Sequence, residues 1–539
     1  MVLPSILYFP FQGIGDKGII KRRILLLLVT GWLLCSCNLT TQTEIIKTPY
    51  VSPTLSAKIG TATPLALVEA TSTDSVPETT QPTAALPSFT PQPDTLTATP
   101  TPQIAPYNSY QLQVQFDYTQ HHLGVEEQVT YTHTAPEPIS ELVFLVEANR
   151  YPGSFYLSQI TSGDGVLVEN FKLGGNRLTV NLPQPLEYGD EIVLNLSYSL
   201  DLPEIPPPSD ESRPQPYGYT GRQTNLVDWY PGLPPYIPGD GWLVHNPGYF
   251  GEHQVYQSAD YQVEIEVTTP PPSEQPLVIA ASAPAESEGN LYQYEIQDAR
   301  NFAWSASNVY IVSTAHVRNV TLLSYAFPFS GEGGKAALQN AKDAVMLYSK
   351  LFGSYPQRSL SIVEADFLDG MEYEGMFFLS RGFYNLYDGT PDGYLTAIAV
   401  HETAHQWWYG LVGNDQALEP WLDEALCTYS EKLFYEYTYP DLLDWWWEFR
   451  VKYFQPTGWV NGSIYDYNGF LLYRNAVYLR GAQFLEALRQ AAGDEAFFAF
   501  LQDYAAQKAH GLATAEDFFT ILKEHSQADI KPLLQEYFK

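Results

Sequence analysis

The apolar period of this chain changes once, near residue 316, from two residues to about 3.6. From about 107 to 315 apolar side chains alternate with polar ones. Tyr110-Gln-Leu-Gln-Val-Gln-Phe-Asp-Tyr118 is one such run, and Glu127 to His133, Leu178 to Leu182, Ile192 to Tyr198 and Tyr261 to Val267 repeat it. Alternation is the period of a strand with one buried face. Pro and Gly clusters, such as Pro203 to Pro208 and Pro231 to Gly241, interrupt the runs. Short strands separated by frequent turns predict an antiparallel β-sandwich or saddle. No charged cluster in this stretch suggests chemistry.

Beyond 316 helical spacing takes over. Ala336 to Leu351 reads as an amphipathic helix ended by Gly353 and Pro356. Arg358 to Ile362 and Met376 to Leu379 read as strands, with Asp369 to Gly375 as a loop between them. Three further helices are expected over 395–411, 421–438 and 474–492. The fold class is therefore multidomain, an N-terminal β domain over 107–315 followed by an α+β domain over 316–539.

The residues before 107 predict location. Lys21, Arg22 and Arg23 precede a Leu-rich run from Ile24 to Leu34, which ends in Leu34-Cys35-Ser36-Cys37. A membrane-spanning helix needs about 20 apolar residues, more than this run supplies. A basic patch, a short apolar run and small residues predict a signal peptide over 1–37. Its end resembles a bacterial lipobox, which implies cleavage before Cys37 and lipidation of the Cys37 thiol. The long stretch ahead of the basic patch points to a translation start after Met1. Residues 41–105 hold 16 Thr and 10 Pro, a composition too poor in apolar area to fold. The stretch 38–106 is accordingly expected to be a disordered tether. It holds the body at the bacterial cell envelope, outside the cytoplasmic membrane and attached through the lipidated N-terminus. A net charge of −33 argues against nucleic acid, whose phosphates need clustered Lys and Arg.

The chemistry lies in His401-Glu402-Thr403-Ala404-His405. On a helix, positions i and i+4 share a face, so both imidazoles reach one ion, and Glu402 is aimed at a water on it as general base. Two histidines do not complete a zinc site. Glu424, in a second helix that begins near Pro420, supplies the third ligand, and a fourth position stays open as in catalytic sites. One Zn2+ per chain is expected. With Cys37 lipidated, Cys427 has no disulfide partner, and it is expected to pack beside the metal helix, off the metal.

These residues resemble a known family. The H-E-x-x-H string followed by eighteen residues and Glu424 resembles the gluzincin metallopeptidases, and within them the membrane alanyl aminopeptidase family, which includes leukotriene hydrolase. Gly370-Met371-Glu372-Tyr373 resembles that family's exopeptidase motif. Trp421-Leu-Asp-Glu-Ala and Tyr478-Leu-Arg480-Gly481-Ala482 resemble its second-helix and catalytic-tyrosine segments. Asn301 to Ser307 resembles the seam between its β-saddle and its thermolysin-like catalytic domain. The resemblance implies that Tyr478 stabilises an oxyanion and that Gly370, Met371 and Glu372 bind substrate, Glu372 by pairing with a free α-ammonium. Departures are Asp369 in place of a common Gly, Glu374 in place of a frequent Pro, and Arg480 in place of the usual Lys. The stretch after Glu424 is short beside the family's, which predicts a short form with a more open cleft.

The function expected is a lipid-anchored zinc aminopeptidase acting on peptides. The alternatives are a zinc endopeptidase with an open cleft and a non-catalytic peptide-binding surface lipoprotein. Hydrolysis of lipid epoxides is implied only through the leukotriene-hydrolase relatives.

Overall fold

The computed structural model describes residues 108–207, 215–273 and 275–539. Cys37, the leader and the tether lie outside the described residues.

The alternating runs form the expected strands. Strand β1 (Asn108–Asp117) buries Tyr110, Leu112, Val114 and Phe116 and turns the residues between them outward. It sits inside a seven-stranded sheet, antiparallel to His122–Thr132 on one side and parallel to β2 (Ala259–Thr269) on the other. That parallel pair departs from the antiparallel expectation. The chain between the two strands is long enough to build other sheets before it returns, so no hairpin dictates their sense. Three smaller sheets, of two, three and four strands, complete this part. Trp304, with Phe116 at 5.1 Å and Trp229 at 6.3 Å between ring centres, fills the core.

The second part is built on a five-stranded sheet of β3 (Ile311–Val317), β4 (Val320–Ala326), β5 (Ser359–Ala365), β6 (Gly370–Tyr373) and β7 (Met376–Ser380). Its order is β3-β4-β5-β7-β6, so β6 is an edge strand. The segment expected as a loop is therefore largely a strand, antiparallel to β7 through a tight turn. Two glycines suggested irregular backbone, yet only Gly375 has left-handed geometry, at φ 68°. A Cβ there would collide with the Ser282 carbonyl. Gly370 stays extended within the strand.

Helix α1 (Gly331–Leu351) begins earlier than its apolar stripe and crosses between the parallel strands β4 and β5. Its buried Tyr348 hydroxyl donates to the Val400 carbonyl at 3.2 Å and the Ser430 carbonyl at 2.9 Å. These bonds tie α1 to α2 (Tyr394–Ala404) and α3 (Trp421–Thr438). The sequence predicts a helix to 411, but α2 stops at Ala404. The chain then turns so that Trp407 and Trp408 enter the core, both fully buried. The helix expected over 474–492 contains a π-turn, Asn475–Leu479, before α4 (Arg480–Ala492). No described helix is long and apolar enough to cross a membrane.

Candidate metal centre

Helix α2 is buried along its length, and its last turn carries the two histidines. His401 lies inside the helix, and His405 is its C-cap residue, still in helical conformation. Glu424 enters from the first turn of α3, just after Pro420. Its Oε2 lies 3.2 Å from His401 Nε2 and 3.6 Å from His405 Nε2. Tetrahedral ligands about 2.0–2.1 Å from a zinc ion stand roughly 3.3 Å apart, so the three donor atoms fit that ion.

The outer nitrogens are also fixed. His401 Nδ1 donates to Glu431 Oε1 at 2.9 Å, and His405 Nδ1 to the Trp408 carbonyl at 3.1 Å. With each Nδ1 protonated, each Nε2 keeps its lone pair for a metal, as ligating histidines require. Glu431 is wholly buried and also accepts from Trp446 Nε1 at 3.1 Å and from Arg450 Nε and Nη2, both at 2.9 Å. The sequence reading missed Glu431 and Arg450. Glu431 stands two turns after Glu424, a spacing that would have suggested it; nothing local points to Arg450.

Glu402 is buried, and its Oε2 has no hydrogen-bond partner. Burial pushes its carboxyl up, against the pull of His405 and His401. An unpartnered carboxylate in such surroundings is costly unless it serves a ligand. The edge strand β6 runs beside it so closely that a Cβ on Gly370 would collide with Glu402 Oε1. Glu372, on the same strand, is buried and accepts from Gln416 Nε2 at 3.2 Å, while Gln416 also donates to Asp423 at 3.0 Å. Met371 is half-buried against the β-domain core.

Tyr478 comes from the π-turn. Its hydroxyl donates to Glu424 Oε1 at 2.5 Å, and its ring lies parallel to His401 with 5.9 Å between centres. Cys427 is buried, with Sγ 3.8 Å from the Trp408 carbonyl. Glu374 accepts from Gln357 at 3.1 Å and from the Arg300 N–H at 3.4 Å. Asn301, in the expected seam, accepts the Glu374 N–H at 3.1 Å and donates to the Tyr409 hydroxyl.

One group contradicts the expectation that the β region holds no chemistry. Carboxylate oxygens of Glu252, Glu372 and Glu424 lie within 4.8 Å of one another. Glu252 sits in a Gly- and Tyr-rich loop with no periodic signal, so only the fold brings it here. The neighbouring His253 bonds Glu147 at 3.3 Å, and Glu147 accepts from Arg150 at 2.8 Å and from Asn176. This buried network holds the loop.

The peptidase family M1 domain matches residues 336–537, which include every one of these groups except Arg300, Asn301, and Glu252 with its supports. Residues 336–537 are thus similar to an M1 peptidase domain. It is 28% identical over 225 residues to aminopeptidase M1-D of Oryza sativa subsp. japonica, covering 38% of this chain and 25% of that protein. It is 29% identical over 146 residues to aminopeptidase N of Streptomyces lividans, covering 25% of this chain and 17% of the relative. The chain thus spans about a quarter or less of the length of these M1 relatives. Among solved structures, the M1 zinc metallopeptidase of Deinococcus radiodurans matches with a TM-score of 0.55 and 19% identity, over 80% of this chain and 92% of that one. A mutant of that enzyme bound to a Tyr-Ser-Ala substrate matches equally well, at 0.55 and 19%, over 80% and 93%. This likeness establishes the M1 fold, the β-rich part followed by the catalytic part.

Proposed function

We propose that this chain is a zinc-dependent aminopeptidase that removes N-terminal residues from peptides. The observation that carries the proposal is the meeting of Glu252 and Glu372 beside the metal-ligand set. Two carboxylates at that spacing form a negative pocket for a free α-ammonium, through charge-assisted hydrogen bonds that an internal peptide bond cannot make. A peptide held there presents its first carbonyl to the metal side.

His401, His405 and Glu424 would hold the zinc ion, which when bound polarises a carbonyl and lowers the pKa of water. Glu402 accepts a proton from the attacking water and returns it to the leaving amine. Tyr478, hydrogen-bonded to a ligand carboxylate, would donate to the developing oxyanion. The edge position of β6 in its sheet supports a substrate laid along it as an added strand.

The test compares matched peptides with free and acetylated N-termini on the full-length protein, with and without chelator. Cleavage of the free peptide alone, lost with chelator and restored by zinc, is the result expected. Equal cleavage of both peptides would make the chain an open-cleft endopeptidase. Cleavage of neither by zinc-loaded protein would leave a peptide-binding protein.

The proposal extends to location. The sequence from Lys21 to Cys37 supports export and lipidation at Cys37, which would tether the enzyme outside the cytoplasmic membrane. Cys37→Ala is expected to abolish lipid labelling; persistent labelling would refute the lipobox.

A further inference from the structure

The groups along β6 give the cleft a direction. Glu372, with Glu252 beside it, stands at one end. Gly370, two residues back, abuts Glu402, and Asp369 follows at the start of the strand. A peptide with its ammonium at Glu372 and its first carbonyl at Glu402 therefore continues past Asp369. Strand residues advance about 3.3 Å each, so Asp369 lies about 10 Å from Glu372. An extended peptide reaches that distance with its second or third residue.

Arg474 flanks this far end. It precedes Tyr478, whose ring covers His401, by four residues on one helical stretch. Asp369 and Tyr478 both act on it electrostatically. Its guanidinium lies over the Phe454 ring at 4.1 Å. Its hydrogen bonding within the described protein is confined to Nη2, which donates to Asn475 Oδ1 at 3.0 Å; Nε is buried without a partner. Neighbouring Arg450 differs, being committed to Glu431 through Nε and Nη2. Asp369 makes no ion pair within 4.0 Å among the described residues. Burial and the Arg450 charge hold the Arg474 pKa down, to about 10. The guanidinium is thus a fixed cation short of counter-charge, with a planar fork suited to a carboxylate.

We propose that Arg474 binds the free C-terminal carboxylate of a di- or tripeptide, so that short peptides are the substrate class of this site. This rests on the aminopeptidase reading for the direction of the bound peptide. Glu372 and Glu252 take the positive end of such a substrate and Arg474 the negative end. A longer peptide, or one with an amidated C-terminus, brings no charge to Arg474. Asp369, exposed at the same end, opposes the carboxylate, so Asp369→Asn is expected to increase the preference for the free acid.

The experiment titrates zinc-loaded, full-length Glu402→Gln protein with trialanine and with trialanine amide by calorimetry. The free acid is expected to bind about tenfold tighter or more. Adding Arg474→Met, which keeps the stem over Phe454, is expected to bring the two affinities together, and Arg474→Lys to restore part of the difference. Equal affinity in the parent overturns the proposal, as does a preference that survives Arg474→Met. Using an affinity ratio removes any general loss of folded protein. Turnover separates this from the reading on which it rests. A protein that cleaves only free N-termini but ignores the C-terminus loses the Arg474 site alone. One that binds the acid tightly through Arg474 and cleaves neither loses the aminopeptidase activity alone.

Discussion

Glu424 and Glu431 stand two turns apart on one helix and close on opposite nitrogens of the same imidazole, that of His401. Glu424 Oε2 is 3.2 Å from Nε2, and Glu431 Oε1 is 2.9 Å from Nδ1. One helix thus supplies a proposed metal ligand and the group that sets the tautomer of another. Arg450 holds Glu431 in place with two bonds.

Glu431→Gln is therefore expected to weaken zinc retention about 10–100-fold, the usual cost of losing such a partner. Competition with a chromogenic chelator measures it. Unchanged affinity would reduce Glu431 to a counter-ion for Arg450.

Removing the base separates chemistry from metal. Glu402→Gln is expected to keep one zinc per chain by elemental analysis and to lose nearly all turnover. Substantial residual activity would take the general-base role away from Glu402.

Gly370→Ala places a methyl group against Glu402 Oε1. The carboxylate is the movable partner, so the protein should fold and bind zinc while the base is displaced. A misplacement near 1 Å costs about 10²-fold in rate. A kcat within a factor of a few of the parent would mean that Glu402 has slack.

Tyr478→Phe deletes one hydroxyl and keeps the ring over His401. The expected effect is a fall in kcat of about 10²–10³-fold with an unchanged melting temperature. A change in KM alone would place Tyr478 in ground-state binding.

The β domain offers a stability test independent of zinc. Burial pushes the Glu147 carboxyl up, but hydrogen bonds and charges from His253 and Arg150 overcome this and hold it at about 2. A folded-state pKa below the unfolded value near 4.5 stabilises the protein above that value, and the gain fades as pH falls toward 2. At pH 7 Glu147→Gln is expected to lose about 3 kcal/mol, with the gap to the parent closing by pH 2–3. Denaturant melts at the two pH values read it, and a gap independent of pH would show that the charge is not what matters.

The sequence by itself determined the parts whose physics is local. Alternation at Tyr110, Leu112, Val114 and Phe116 specifies one buried face wherever that strand lies. The i, i+4 spacing of His401 and His405 puts two imidazoles on one helical face before any tertiary contact forms. What only the tertiary structure decided involves residues far apart in the chain. Residues 369–375 carry loop-like glycines, yet β7 recruits four of them as an edge strand, because a free strand partner outweighs weak local preference. Helix α2 ends at Ala404 because burying Trp407 and Trp408 is worth more than another helical turn. Glu252 and Arg450 reach the site from segments with no periodic signal, and Arg474 can be recognised as an unmatched cation only once its neighbours are known. Spacing along a chain reports which side chains share a face; which faces meet is set by packing over the whole fold.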